Sequence, residues 1–267
     1  MACYMGIDIG SGYSKGVVMK DGELAAFQMV LSGADYRATA QALRRELLAR
    51  AKLAQDEVAA AAATGIGAGN VDFASKWASD IVCTARGIHD IFPSARAVID
   101  LGAQSSRVIQ VDWNGRVANF AVTEKCAAGG GQFVEVIANV LRIALEDFGA
   151  LSLRSEEPVM FNTGCAVFGE SEAVTRVAEG ARKEDIAAGV NKALADKITS
   201  LTKRIEFNGP CAVCGGGALN AGLVKCLEDE LRTTLLVPPR PQIVAAWGAA
   251  LMATLMQCGD QQPRCIS

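Results

Sequence analysis

Residues 4–12, Tyr-Met-Gly-Ile-Asp-Ile-Gly-Ser-Gly, decide the fold because their pattern occurs a second time in the chain. An apolar strand runs into Asp8 and a glycine turn, and 92 positions later another apolar strand runs into Asp100 and a second glycine turn. Each copy continues into a second strand, a hairpin turn (at 21–22 and 114–115) and a third strand. Two such motifs in the same register indicate a duplicated α/β fold.

Hydrophobic periodicity places the other elements along the chain. Strands are predicted at 4–9, 15–19, 23–29, 58–64, 97–101, 107–111, 117–122, 159–162 and 211–214. Helices are predicted at 36–53, 74–89, 133–147, 165–179, 184–205, 219–232 and 243–256.

Composition narrows the class of protein. The chain has 267 residues and a formal net charge of −3, so it lacks the basic excess of nucleic-acid-binding proteins and we expect no such partner. Its apolar runs are too short to span a membrane, and its first residues lack the pattern of a signal peptide. We therefore expect a cytoplasmic protein without a membrane partner. Nine cysteines in such a protein indicate thiol, metal or cluster chemistry rather than a disulfide framework.

Three glycine turns follow predicted strands and are typical of phosphate binding. After Asp8, the turn Gly10-Ser11-Gly12 offers backbone N–H groups and a hydroxyl, and the carboxylate is suited to position Mg²⁺ through water. Lys15 lies shortly beyond it. The second turn follows Asp100, and the third is the stretch 215–218, Gly-Gly-Gly-Ala.

Together these turns resemble those of the superfamily of actin, Hsp70 chaperones and sugar kinases. The resemblance covers nearly the whole chain and implies a ribonuclease H-like ATPase fold, with two lobes around a nucleotide cleft. The first lobe would be residues 1–95, completed by a C-terminal helix at about 241–257, and the second would be residues 96–240.

The resemblance also implies roles for individual residues. Asp8 and Asp100 would be the catalytic carboxylates, one in each lobe. The residues implied to contact ATP or ADP are Gly10, Ser11, Gly12, Lys15, Gly102, Ala103, Gln104, Gly129, Gly130, Gly215, Gly216, Gly217, Ala218 and Gln242.

A separate signal lies at residues 123–133, Thr-Glu-Lys-Cys-Ala-Ala-Gly-Gly-Gly-Gln-Phe. Here Cys126, a soft metal ligand, stands before three glycines and the predicted start of a helix, where thiolates and anions are favoured. Cys165 also precedes a predicted helix. The alternative is that both are buried, reduced thiols.

Four motifs narrow the resemblance: 6–11 (Gly-Ile-Asp-Ile-Gly-Ser), 125–129 (Lys-Cys-Ala-Ala-Gly), 165–172 (Cys-Ala-Val-Phe-Gly-Glu-Ser-Glu) and 216–220 (Gly-Gly-Ala-Leu-Asn). In this order they resemble the activator ATPases of 2-hydroxyacyl-CoA dehydratases and the ATPase subunits of benzoyl-CoA reductases. That resemblance implies that Cys126 and Cys165 from each of two homologous subunits bind one shared [4Fe–4S] cluster. Four thiolates are what such a cluster usually requires.

The implied activity is ATP-driven electron transfer. Reduced ferredoxin or flavodoxin would load the cluster, and ATP hydrolysis would pass its electron to an acyl-CoA reductase or dehydratase. Most activators carry Asp-Ile-Gly-Gly-Gln-Asp at the second turn, whereas this chain has Ala103 and Ser105 at the fourth and sixth positions. This Gly-Ala turn, together with residues 85–87 and 95–98, resembles the smaller ATPase subunit of benzoyl-CoA reductase more than a dehydratase activator. Because that subunit pairs with a related but different chain, we expect a heteromeric complex.

Two other functions stay open at this point. One is a small-molecule kinase of the same fold, which needs no cluster. The other is a catalytically weak subunit that holds cluster ligands while its partner hydrolyses ATP.

The remaining cysteines receive no chemical role. Cys211 and Cys214 form a C-x-x-C pair, but on a buried strand neighbouring side chains alternate between faces, so packing is favoured over zinc or redox chemistry. Cys258 and Cys265 lie near the end of the sequence and are left unassigned.

Overall fold

The computed structural model describes residues 2–123, 129–161, 166–205 and 208–255. The described chain forms two compact units. The first contains the residues up to Gly87 together with those from Ile243 onward, and the second runs from Ile88 to Gln242. The predicted functional lobes have slightly different limits, at 95/96 and 240/241, and these limits stay a prediction.

The elements are as follows. Strands are β1 (Cys3–Ile9), β2 (Tyr13–Lys20), β3 (Glu23–Leu31), β4 (Val58–Thr64), β5 (Lys76–Trp77), β6 (Ala97–Leu101), β7 (Ser106–Val111), β8 (Val117–Val122), β9 (Cys211–Cys214) and β10 (Leu235–Leu236). Helices are α1 (Tyr36–Ala51), α2 (Asp80–Ile91), α3 (Gly131–Leu141), α4 (Leu145–Ser152), α5 (Ala166–Ala178), α6 (Lys183–Thr202), α7 (Ala221–Leu231) and α8 (Val244–Thr254). None of these helices is long and apolar enough to span a membrane.

The two units contain sheets of the same topology. In the first, the order is β3-β2-β1-β4-β5, with β1, β2 and β3 antiparallel and β4 parallel to β1. In the second, the order β10-β9-β6-β7-β8 repeats this arrangement, with β9 parallel to β6. The predicted duplication is therefore confirmed at the level of strand pairing.

Helices α1 and α8 cover the first sheet, α1 with one apolar face and α8 as a helix that is apolar on all sides. In α1, Ala40, Leu43 and Leu47 are buried against the sheet, and the Asp35 carboxylate caps the helix by accepting the N–H of Ala38 at 2.9 Å. Helix α8 packs on β1, β2 and β4, where Gly6 leaves room for the α8 backbone.

Most strand predictions are confirmed, and four of them (58–64, 97–101, 117–122 and 211–214) have the predicted bounds. The predicted helix 74–89 is wrong in its first part. Residues 76–77 form β5, which pairs with Ala62 and Ala63, and the helix begins only at Asp80. Pairing with the open edge of β4 satisfies backbone groups that a helix would have satisfied internally.

Two further predictions are corrected. The helix predicted at 133–147 is broken, because Arg142 adopts a left-handed conformation (φ 53°) that ends α3, and α4 starts at Leu145. The strand predicted at 159–162 is absent over 159–161, and residue 162 lies outside the described residues. The N–H of Val159 donates instead to the carbonyl of Asp185 in α6, at 2.9 Å.

Replacing Gly248 by Ala should destabilise the first unit. A Cβ at this position would lie 1.8 Å from the carbonyl oxygen of Cys83 in α2, so one of the two helices must shift. We expect a loss of about 3 kcal/mol in the free energy of unfolding, measured by urea denaturation. Gly69→Ala is the matched control, because no atom lies within 4 Å of its added Cβ. Equal stability of the two variants would contradict the close packing of α2 and α8.

Candidate functional site: a duplicated carboxylate and its glycine turns

The first unit places Asp8 near the end of β1, directly opposite Lys15 in β2. The Lys15 Nζ lies 3.0 Å from Asp8 Oδ2, and Asp8 is only 7% exposed. On the other side of β1, Asp8 is opposite Thr64 of β4. The buried carboxylate is therefore neutralised by a cation delivered through the hairpin register, since an unpaired buried charge is costly.

Hydrogen bonds behind the turn hold its conformation. The hydroxyls of Ser14 and Ser32 lie 2.8 Å apart, and Ser32 donates to the carbonyl of Gly10 at 2.6 Å. A Cβ on Gly10 would lie 2.6 Å from the carbonyl oxygen of Tyr13, so the turn closes tightly only with glycine.

The second unit repeats this geometry around Asp100. Arg107 of β7 lies directly opposite Asp100, and its Nη1 is 2.7 Å from Asp100 Oδ2. The parallel neighbour is Cys214 of β9, whose Sγ lies 3.9 Å from Asp100 Oδ1. Burial raises the pKa of the Cys214 thiol well above its ordinary value, and the charge of Asp100 raises it further, so the thiol stays protonated. Arg107 was not predicted as a site residue, although it stands 92 positions after Lys15, as Asp100 does after Asp8.

The second turn packs against the start of α3. Gly131 and Gln132 donate their N–H groups to the carbonyls of Gly102 and Ala103, both at 2.9 Å. A Cβ on Gly130 would lie within 2.6 Å of both carbonyl oxygens. The structure therefore brings together Gly102, Ala103 and Gly130 of the predicted nucleotide-contacting set.

Ser106 of β7 also holds the second turn and the start of α3 in place. It stands 92 positions after Ser14 and is its counterpart in the second unit. Its hydroxyl is buried and donates to the carbonyl of Gly129 at 2.7 Å, and its N–H donates to the Thr123 hydroxyl at 3.0 Å. Gly129 and Thr123 flank the stretch 124–128, which lies outside the described residues, so both flanks of that stretch are tied to β7.

A second duplication, missed in the sequence analysis, joins the turns after β4 and β9. Gly65 and Gly215, 150 positions apart, have left-handed φ values of 87° and 83°. A Cβ on them would lie 2.4 Å from Asp8 Oδ1 and 2.8 Å from Asp100 Oδ1, respectively. Glycine is thus required here twice over, by conformation and by the adjacent carboxylate. The repeated pattern Gly-x-Gly-Ala-x-Asn at 65–70 and 215–220 is the signal that could have shown it.

An open cavity of about 520 Å³ lies beside the third turn. It is lined by Leu153, Ala218, Leu219, Ala221, Val224, Lys225, Glu228 and Val237. The carbonyl of Pro241 accepts the N–H of Gly215 at 2.9 Å. Gln242, the next residue in the chain, therefore lies near the third turn.

The segment that leads to residue 162 is fixed at two points. Asp185 of α6 accepts a hydrogen bond from the Ser155 hydroxyl at 2.7 Å, and this bond holds the pKa of Asp185 below its ordinary value. The ring of Phe161 packs edge-on against Phe133 of α3, with centroids 6.3 Å apart. The chain therefore enters the stretch 162–165 from a defined position on α3 and α6.

The two predicted cluster ligands, Cys126 and Cys165, lie outside the described residues, as do Cys258 and Cys265. Among the residues that are described, no group of three or more His, Cys, Asp or Glu side chains is arranged to bind a metal ion. Cys211 and Cys214 are free and buried, which agrees with a packing role.

Comparison with known proteins first defines the class. In fold, the chain matches a ROK family glucokinase from Streptomyces griseus with a TM-score of 0.59 at 15% identity, over 95% of this chain and all of that one. This match and the repeated sheet topology confirm the predicted duplicated α/β fold, which the glucokinase shares.

More specific matches define the family. Residues 5–253 match the BadF/BadG/BcrA/BcrD ATPase family, and the chain belongs to it. It is 38% identical to a 2-hydroxyisocaproyl-CoA dehydratase activator from Clostridioides difficile, over 93% of this chain and 94% of that protein. The structure of component A of (R)-2-hydroxyglutaryl-CoA dehydratase from Acidaminococcus fermentans matches with a TM-score of 0.92 and 34% identity, over 97% of this chain and all of that one.

One of the subunits of benzoyl-CoA reductase from Thauera aromatica is also related, at 31% identity over 98% of each chain. Its identity is lower than that of the dehydratase activator above. The preference for a benzoyl-CoA reductase subunit, drawn from Ala103 and the stretches 85–87 and 95–98, is therefore not confirmed, because a short turn carries less information than the whole chain.

Alkaline pH should weaken the first unit through Cys83, a buried thiol of α2. Burial raises the pKa of this thiol from 9.0 to about 11. Because the thiol ionises in the unfolded chain first, its contribution to stability is complete below pH 9 and is lost as pH rises towards 11. Between pH 9 and about pH 11, we expect ionisation of the Cys83 thiol to lower the free energy of unfolding by about 1.4 kcal/mol per pH unit.

This slope is measured by urea denaturation of the parent protein and of Cys83→Ala at several pH values between about 8 and about 10.5. The variant should show a shallower decline than the parent. Identical slopes would show that Cys83 ionises equally readily in the folded chain.

Proposed function

We propose that this chain is an ATP-hydrolysing, iron–sulfur electron-transfer protein that activates a 2-hydroxyacyl-CoA dehydratase. The observation that carries the proposal is the duplicated carboxylate–cation pair, Asp8 with Lys15 and Asp100 with Arg107, each beside a glycine turn. Membership of an ATPase family and the relatedness to dehydratase activators support it. A related activator from Clostridium difficile, 34% identical with a TM-score of 0.89 over 98% of this chain and all of that one, has been solved with bound ADPNP.

In this proposal, turns 10–12 and 102–104 bind the phosphates of ATP. Carbonyl oxygens normally repel phosphate, and in these turns the carbonyls of Gly10, Gly102 and Ala103 already accept internal hydrogen bonds. Lys15 and Arg107 add positive charge beside each turn. The carboxylates of Asp8 and Asp100 are suited to hold a hydrated Mg²⁺, which retains several of its waters in proteins, and to orient the attacking water.

The adenosine would bind at 215–218 and in the adjoining cavity. This cavity has mainly apolar walls, including Leu219 and Val224, with Lys225 and Glu228 as its charged members. Such a combination suits a flat, apolar base that carries polar atoms at its edge.

We further propose that Cys126 and Cys165, from this chain and from a homologous second subunit, bind a shared [4Fe–4S] cluster. The cluster would accept and release one electron at low potential. Both cysteines lie in stretches whose described flanks are fixed: Gly129 by Ser106, and Phe161 by Phe133. The helices that follow the two stretches, α3 and α5, pack against each other.

The need for ATP follows from the size of the electron's free-energy change. Raising an electron by roughly 300 mV costs about 7 kcal/mol, which ATP hydrolysis is able to supply. The proposed donor is ferredoxin or flavodoxin. The proposed acceptor is a 2-hydroxyacyl-CoA dehydratase, and a benzoyl-CoA reductase is the second candidate because a component of that enzyme is also related.

The cluster assignment predicts that anaerobically purified protein contains iron and acid-labile sulfide. Cys126→Ser and Cys165→Ser should each abolish the cluster, seen as loss of both elements and of visible absorption, while ADP affinity changes less than about threefold. The matched control is Cys226→Ser, a half-buried thiol on α7. Normal cluster content in both variants would contradict the assignment. Adding a homologous partner subunit to the preparation distinguishes a homodimer from a heterodimer.

The ATPase assignment predicts that Asp8→Asn and Asp100→Asn each lower the rate of ATP hydrolysis by about 100-fold or more. Asp196→Asn, which changes an exposed carboxylate on α6 of the second unit, is the control and should hydrolyse ATP at the parental rate. Phosphate transfer to an added sugar would instead favour the small-molecule kinase. Hydrolysis only in the presence of a partner subunit would favour the catalytically weak subunit.

A further inference from the structure

A buried polar cluster joins three helices of the second unit. It consists of Ser152 at the end of α4, Asn191 in the middle of α6 and Asn220, which precedes α7; we call it the asparagine cluster. Asn191 is completely buried and Ser152 is 6% exposed. The Asn191 amide nitrogen donates to the Ser152 hydroxyl at 2.8 Å and to Asn220 Oδ1 at 3.2 Å, and the Asn220 amide nitrogen donates to Asn191 Oδ1 at 2.7 Å.

Hydrogen bonds also connect the cluster to the backbone. Ser152 donates onward to the carbonyl of Gly149 at 2.8 Å, and Asn220 Oδ1 accepts the N–H of Leu223 at 3.0 Å. Because a buried amide left unpaired is costly, the cluster permits one orientation of Asn220 and opposes the others.

Two glycines allow the three helices to approach this closely. A Cβ on Gly222 would lie 1.9 Å from Ser152 Oγ and 2.7 Å from Asn191 Nδ2. A Cβ on Gly149 would lie 2.8 Å from Asn220 Oδ1. The cluster is thus enclosed on both sides by contacts that no larger residue permits without a shift.

The asparagine cluster borders the third glycine turn and its cavity. The N–H of Asn220 donates to the carbonyl of Gly217 at 3.1 Å, which closes the turn. Leu219 and Ala221, its two neighbours in the chain, line the cavity, as does Leu153, the residue after Ser152. Lining residues from the end of α4 and from the third turn are therefore attached to the same set of hydrogen bonds.

The first unit shows that the turn alone does not require such a cluster. There Asn70, the counterpart of Asn220, is exposed, and its amide nitrogen donates to the carbonyl of Gly67 at 3.3 Å. The two turns nevertheless share the left-handed glycine and the closing hydrogen bond, from Asn70 to Gly67 in one and from Asn220 to Gly217 in the other. Within the part of the chain that the structure describes, Asn191 and Ser152 are thus additions made by the second unit alone.

We infer that Asn191 is a positioning residue for the nucleoside part of the bound nucleotide, acting through Asn220 on the turn 215–218 and on the cavity beside it. The inference rests on the proposed function, in which this cavity receives the adenosine. The nucleoside and phosphate parts of the ligand should therefore respond differently to a substitution of Asn191. Affinity for a nucleoside diphosphate should change, and affinity for a bare phosphate chain should not.

The test is calorimetric titration of the full-length protein with ADP and, separately, with inorganic tripolyphosphate. Asn191→Ala should raise the Kd for ADP about tenfold, the effect of one lost buried hydrogen bond, with an unchanged Kd for tripolyphosphate. Ser152→Ala is the milder second variant, because it keeps both asparagines, and should raise the Kd for ADP about threefold.

The control is Thr199→Val, also on α6, where a hydroxyl with 7% residue exposure bonds only within its own helix, to the carbonyl of Asp196 at 3.1 Å. It should lower the unfolding midpoint without changing the Kd for ADP. Parental ADP affinity in folded Asn191→Ala and Ser152→Ala, or an equal loss for tripolyphosphate or in Thr199→Val, would overturn the inference. A parent protein that fails to bind ADP would instead remove the proposed function itself.

Discussion

The pairing of a strand-end carboxylate with a cation directly across an antiparallel ladder is the interaction on which both units depend. Asp8 and Asp100 are 7% and 8% exposed, so each charge needs a partner, and the hairpin register supplies Lys15 and Arg107. A slip of one residue in either hairpin would turn the cation to the opposite face of the sheet. A further neighbour of each carboxylate is a left-handed glycine, which no other residue replaces without collision. Register, charge and backbone conformation therefore constrain one another at the same point.

Much of this arrangement could be predicted from the sequence, because it rests on local signals. Strand periodicity, two hairpin turns and the spacing of Asp8 and Asp100 were enough for the duplicated fold. Apart from the local break at Arg142, the errors concern residues whose structure is decided by distant partners. Residues 76–77 become a strand because β4 offers an open edge, and Val159 bonds to α6 instead of a sheet. Arg107 was missed because its role depends on pairing with Asp100. The likeness of residues 65–70 to residues 215–220 was missed because the two stretches differ at two of their six positions.

The two units are alike in framework and different in what surrounds it. Lys15 and Thr64 in the first correspond to Arg107 and Cys214 in the second, so the second carboxylate faces a planar guanidinium and a protonated thiol. The second unit also adds the asparagine cluster, which has no counterpart among the described residues of the first. The duplicated sheets and glycine turns thus account for the position of the carboxylates. The asparagine cluster, which is not duplicated, gives the turn 215–218 a buried support that the turn 65–68 lacks.

The first unit is built from both ends of the described chain, and this affects the order in which the protein matures on the ribosome. Residues 88–242 form a continuous unit that has all its strands before α8 is synthesised. The first sheet, by contrast, stays without its cover over Val17 and Met19 until residues 244–254 emerge from the exit tunnel. Strand β2 is therefore translated well before the helix that encloses it, and the nascent chain exposes an apolar sheet face until that helix follows.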